Sequence, residues 1–108
     1  MGEAIHLSHQ ERVTLIQTAR KALDGVGLVD TPIIAGIGAG STRETIELAN
    51  EAAAAGADCA IAIASGYFAG VLSGNKKALK AFWQEVSSKS PIPVMIYNCW
   101  CFLLPIFR

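Results

Sequence analysis

Three short stretches of this sequence are apolar at consecutive positions rather than at alternate ones: Pro32-Ile33-Ile34-Ala35-Gly36-Ile37, Ala57 to Ile63 with Asp58 as the sole interruption, and Pro93-Val94-Met95-Ile96-Tyr97. A run of that kind, fenced by proline or glycine, is what a strand buried on both faces requires, and such strands occur in parallel sheets covered by helices. This feature narrows the possible folds more than any other in the chain.

The segments between the runs have helical character. Ser8-His9-Gln10-Glu11 carries the capping-box pattern, a hydroxyl with a glutamate three residues on. Val13, Leu15, Ile16, Ala19, Ala22 and Leu23 then recur at helical spacing, and Gly25 and Gly27 supply a stop. A helix is expected from about Ser8 to Asp24. Ser41-Thr42-Arg43-Glu44 repeats the box and opens a second helix that runs through the alanines to Ala55, with Gly56 ending it. Ala64 to Gly74 reads as a loop. Asn75 is placed to cap a third helix with Ala78, Leu79, Phe82, Trp83 and Val86 on its apolar side. Helices alternating with buried strands define βα units, so the expected class is α/β with about three βα units and parallel strands.

Bulk properties exclude several function classes. Nine basic residues balance nine acidic ones, which leaves no electrostatic footprint for nucleic acid or an anionic membrane. No apolar stretch reaches the ~18 residues of a membrane span, and the N-terminus lacks the pattern of a secretory signal. Three cysteines, an odd number, do not form a disulfide framework, so a cytoplasmic, reducing setting is the expectation. Only 17% of residues are charged, below the ~25% usual for soluble domains, so part of the surface is expected to be covered.

Several local patterns admit two readings. Gly36 to Ser41 follows a strand and opens a helix, as a dinucleotide fingerprint would. The G-x-G-x-x-G spacing fails whether counted from Gly36 or Gly38, however, and a tight βα turn accounts for it. A weak anion site at the helix start stays open. Cys99 and Cys101 form C-x-C, short of the four ligands of a zinc site. His6 and His9 flank a helix start and read as solvated or capping residues, and Lys76, Lys77 and Lys80 as a solvated helix face. No metal or cofactor is expected.

Three segments, in order, resemble the dihydrodipicolinate synthase / N-acetylneuraminate lyase family. Gly2-Glu3-Ala4 followed by Leu7-Ser8-His9-Gln10-Glu11-Arg12 resembles the end of the family's Gly-Thr-Thr-Gly-Glu pattern and the helix after it. Pro32 to Ala39 resembles strand three, where threonine commonly stands at the Ile37 position. Pro91 to Asn98 resembles strand five, and Gly66-Tyr67-Phe68 falls where the family has an aromatic pair after strand four. The likeness covers residues 2 to 98 and looks most similar to a fungal branch acting on 2-oxo acids or deoxy-sugar acids.

The resemblance implies a partial (β/α)₈ TIM barrel in residues 1–98, followed by an apolar tail, 99–108, outside the family pattern. It implies a class I aldolase whose lysine forms a Schiff base with a 2-oxo acid such as pyruvate. It also implies Tyr97 as the proton-moving phenol, Tyr67 as its relay partner across a subunit contact in a homo-oligomer, and Gly2 as a remnant of the carboxylate-binding turn. The family's lysine lies at the end of strand six, downstream of Tyr97. Lys21, Lys76, Lys77, Lys80 and Lys89 are all expected on helices or at their ends. Met1 stands where the family has threonine, and Cys99-Trp100-Cys101 replaces a Pro- and Gly-containing loop. The expectation is therefore a truncated family member without activity of its own. The alternatives are an interaction fragment that pairs with a full-length relative and a small phosphate-binding βα domain. Three strands cannot close a barrel that needs eight and ~250 residues, so open strand edges, and a tendency to aggregate, are expected.

Overall fold

The structure, a computed structural model, describes residues 3–64 and 74–97. A single 3₁₀ turn (Ala4–His6) leads into α1 (His9–Gly25), β1 (Ile34–Gly36), α2 (Thr42–Ala55), β2 (Cys59–Ala62), α3 (Lys76–Lys89) and β3 (Val94–Ile96). The strands form one parallel sheet in the order β1-β2-β3, with Ala35 opposite Ala60 and Ala60 opposite Val94. The alternation of helix and parallel strand is the one the sequence predicts.

Each helix start is set by a side chain that accepts from an otherwise unpaired amide. The Ser8 hydroxyl accepts from the Glu11 amide at 3.2 Å while the Glu11 carboxylate accepts from the Ser8 amide at 2.8 Å, closing the box. These bonds hold the Glu11 carboxyl below its usual pKa, the Ser8 amide contributing most. Asn75 caps α3 through the Ala78 amide at 3.0 Å. The box expected at α2 forms only in part. Ser41 accepts from the Glu44 amide at 3.2 Å, but the Glu44 carboxylate turns instead to His9 of α1, 3.3 Å away. At the other end of α2, Gly56 adopts φ +104, a left-handed value that lets the Ala57 amide reach back to the Ala52 carbonyl at 3.0 Å.

The expectation of strands buried on both faces needs correcting. Burial alternates along β1 and β2. One face, carrying Ala35, Ala60 and Ala62, is buried beneath the helices together with Ile37. The other is open: Ile34, Met95 and Tyr97 are 50%, 41% and 51% exposed. The helices cover one side only, and three strands do not curl far enough to bury the second side against each other. The continuous apolar runs therefore record a demand for cover on both faces that these residues meet on one.

The core lies between the sheet and α2 and α3. Leu48, Ala49 and Ala52 of α2 and Val86 of α3 meet Ala35, Ile37, Ala60 and Ala62. The alanines allow α2 to approach the sheet closely, and Val86 and Leu79, both fully buried, anchor α3. α1 packs along α2 but has no fully buried residue.

Candidate active site

The carboxyl ends of parallel strands gather on one rim of a sheet, where the loops that follow them place side chains together. Here that rim carries Ile37 to Gly40 after β1, Ile63 and Ala64 after β2, and Tyr97 after β3. The pairing of Ile61 with Gly36 and with Met95 sets the facing of what lies two residues on, because side chains repeat their face with period two. Gly38, Ile63 and Tyr97 thus share a row across the open face. A Cβ on Gly38 would come within 3.0 Å of the Ile63 Cγ2, so only glycine fits beside Ile63 without displacing it.

Tyr97 is held by its backbone and free at its ring. Its amide donates to the Ala62 carbonyl at 2.8 Å, extending the ladder one residue past β3, while about half of the residue stays exposed on the open face. The other two residues implicated by resemblance, Tyr67 and Gly2, lie outside the described residues. The five lysines lie where the sequence places them: Lys21 in α1 and Lys76, Lys77, Lys80 and Lys89 in α3. None stands at the carboxyl end of a strand. Lys89 pairs with Glu85 at 2.8 Å.

Beside the rim, a cavity of about 460 Å³ is lined by Leu7, His9, Arg12, Gly38, Glu44 and Ile63, among others. His9 was read as a solvated or capping residue; instead its imidazole bridges two helices. Nδ1 lies 3.0 Å from Glu51 Oε1 and Nε2 lies 3.3 Å from Glu44 Oε1. Hydrogen bonding to Glu51 first, and to Glu44 second, raises its pKa. The sequence offered no signal for this pairing, which joins residues 35 and 42 positions apart. The Gly36–Ser41 turn behaves as a tight βα connection. The Glu44 amide, which a bound phosphate would seek at the α2 start, is already taken by the Ser41 hydroxyl.

A second arrangement invisible to pattern reading is Arg20. Its guanidinium donates to the carbonyls of Thr31 (3.0 Å), Leu28 (3.2 Å) and Val29 (3.3 Å), and to Asp24 Oδ1 (3.0 Å). Asp58, seen in the sequence only as a polar break in an apolar run, accepts from the Ile33 amide at 2.8 Å and lies 3.6 Å from Arg20. Together they fix the α1–β1 connection and the start of β1 against β2.

Among the described residues no cluster of three His, Cys, Asp or Glu side chains is placed to hold a metal ion. Cys99 and Cys101 fall outside those residues. No helix among them is long and apolar enough to cross a membrane.

Comparison with known proteins follows the same lines. Residues 1–101 match the dihydrodipicolinate synthetase family. A protein of Emericella nidulans named "Probable 4-hydroxy-2-oxoglutarate aldolase, mitochondrial" is 45% identical over 97 residues, which is 90% of this chain and 31% of the relative. The L-threo-3-deoxy-hexylosonate aldolase of Aspergillus niger is 41% identical over 97 residues, 90% of this chain and 29% of the relative. Among solved structures, the chloride-inhibited dihydrodipicolinate synthase of Acinetobacter baumannii in complex with pyruvate superposes with a TM-score of 0.79 at 31% identity, over 94% of this chain and 32% of that one. A prophage protein of the dihydrodipicolinic acid synthase family from E. coli, also in complex with pyruvate, gives 0.76 at 29% identity, over 94% of this chain and 32% of that one. The chain thus spans about a third of the length of the proteins that it matches, as a partial barrel.

Proposed function

The chain belongs to the dihydrodipicolinate synthetase family, and from that premise we propose that it is the strand-three-to-five portion of an aldolase barrel acting on 2-oxo acids. In that reaction a lysine amine condenses with the ketone and releases water. The resulting imine withdraws electrons, so that a carbon–carbon bond beside it forms or breaks. A phenol close to the imine carries the protons that the step requires. Tyr97 has that role, with Tyr67 as relay partner across a subunit contact and Gly2 in the carboxylate-binding turn. The observation that carries the reading is the position of Tyr97, at the carboxyl end of β3 with its backbone bonded to Ala62 and its side on the open face. The pyruvate named with two of the neighbours supports a 2-oxo acid as the ligand.

These 108 residues by themselves do not form the imine. Their lysines all lie on helices, away from the strand ends where a barrel keeps its chemistry. Incubation with pyruvate and borohydride, read by intact mass, is expected to leave the chain unmodified. A stable adduct on any one lysine would overturn the proposal. As to compartment, "mitochondrial" in the names of two relatives supports that organelle over the cytoplasm.

A second reading, an interaction fragment, has its own support: β1 and β3 are both sheet edges, with Ile34 and Ile96 half exposed. Unpaired edges of this kind invite pairing with another chain. Co-purification with a full-length family member at micromolar concentration is expected on that reading, and failure to associate argues against it.

A further inference from the structure

The helix-covered face of the sheet is not covered to its end. Val94 and Ile96 pair with Ala60 and Ala62, so they face the helices. Ala60 and Ala62 are 0% and 1% exposed, whereas Ile96 is 49% exposed. Between β3 and α3 runs a groove of about 470 Å³, floored by Val94 and Ile96 and walled by Leu79, Lys80, Trp83 and Ser87. One polar atom in its wall lacks a partner among the described residues: the Trp83 indole Nε1, fully buried. A buried N–H without an acceptor costs about 1–3 kcal/mol, so the groove is short of a carbonyl as well as of apolar cover.

The sequence that leaves β3 matches both needs. Cys99-Trp100-Cys101-Phe102-Leu103-Leu104-Pro105-Ile106-Phe107 contains no charged residue, and it departs from the rim one residue after Tyr97. A segment following a strand in a parallel sheet returns in the right-handed sense onto the face that carries the preceding helices. For β3 that path lies over Val94 and Ile96, alongside α3. From Lys76 to Ser87 the wall is about 16 Å long at 1.5 Å per residue. Nine extended residues reach about 30 Å, enough to turn and run its length.

We propose that residues Cys99–Phe107 dock in the groove between α3 and β3, covering Trp83, Val94 and Ile96 and giving the Trp83 indole a backbone carbonyl. The proposal is independent of the aldolase reading, since it rests on the groove and on the composition of the segment.

Trp83 and Trp100 are the two tryptophans, so Trp100→Phe in the full chain leaves Trp83 as sole reporter. Acrylamide quenching is measured in that background with and without Phe102→Asp and Leu104→Asp. Several-fold stronger quenching in the double-Asp chain, with protection in the parent unchanged on dilution, is the expected result. Equal quenching overturns the proposal. So does protection that disappears on dilution, which would make a second copy the occupant. Because the charged chain could lose its fold, Gln84→Cys in the otherwise native chain gives a second readout. Mild oxidation is expected to link position 84 to Cys99 or Cys101, found by peptide mass mapping, and absence of that link also overturns the docking.

Discussion

Arg20 is a residue whose contribution can be worked from its bonds. Its guanidinium holds three carbonyls of the α1–β1 connection and one carboxylate, with 19% of the side chain exposed. A net 0.5–1.5 kcal/mol per bond puts the three carbonyls at roughly 1.5–4.5 kcal/mol. Leu28, Val29 and Thr31 are exposed, so water replaces the lost donor readily and the lower half of that range applies. The Asp24 pair, 49% exposed on its acidic side, adds no more than about 0.5 kcal/mol. Arg20→Ala is therefore expected to destabilise the fold by about 2 kcal/mol. Lysine presents a point charge in place of a planar fork, and its ammonium cannot reach three carbonyls and a carboxylate at once. Arg20→Lys is expected to recover less than about half of the loss. In a urea titration with a slope near 1 kcal/mol per molar, the alanine variant moves the midpoint down by about 1–2 M. Hydrogen exchange of the peptide spanning 26–33 is expected to accelerate in both variants, since that connection loses its clamp. A lysine variant indistinguishable from the parent in midpoint and in exchange would refute the reasoning, because the fork geometry would then contribute nothing.

Other outcomes follow from the core and from the helix pair. Val86→Ala removes two carbons from a fully buried site and is expected to cost about 2–3 kcal/mol, read as a drop in the urea midpoint. His9 has a folded-state pKa raised above 6.5, chiefly by Glu51 and then by Glu44. Its contribution is present in full below the unfolded value and is lost as pH rises through the folded value. The parent's urea midpoint is therefore expected to fall between about pH 6.5 and 8.5 relative to that of His9→Gln. Because the imidazole is exposed, the difference is expected to shrink in 0.5 M salt, about five times the ionic strength at which the screening length is about 10 Å. Parallel pH profiles for the two chains would show that the bridge does not form.

Much of this arrangement is legible in the sequence, and the illegible part has a common cause. The starts of α1 and α3 could be read from Ser8, Glu11 and Asn75, because a cap is a contact between residues three apart. The position of Tyr97 at a strand end followed from the apolar run before it. His9, Arg20 and Asp58 could not be read, since their partners lie 35, 11 and 25 residues away at their farther or nearer contacts and come together only once helices and strands are packed. Glu44 shows how local and distant demands compete: its spacing from Ser41 suits a capping box, and the charge of His9 across the helix interface draws it away. The strand runs misled in one respect. Apolar composition states that cover is needed and is silent about whether it is supplied, so the face of Ile34, Met95 and Tyr97 stands open.

The alanine lining of the helix–sheet junction has a thermal consequence. Eight of the twelve buried apolar residues (Ala35, Ala49, Ala52, Ala55, Ala57, Ala60, Ala62 and Ala64) carry a single side-chain carbon. Unfolding such a junction wets little hydrocarbon, and the heat-capacity increment of unfolding scales with the hydrocarbon wetted. The stability of this chain should accordingly vary gently with temperature, with a flat maximum and broad shoulders, so that cooling weakens it less than it weakens a junction filled with leucine and phenylalanine.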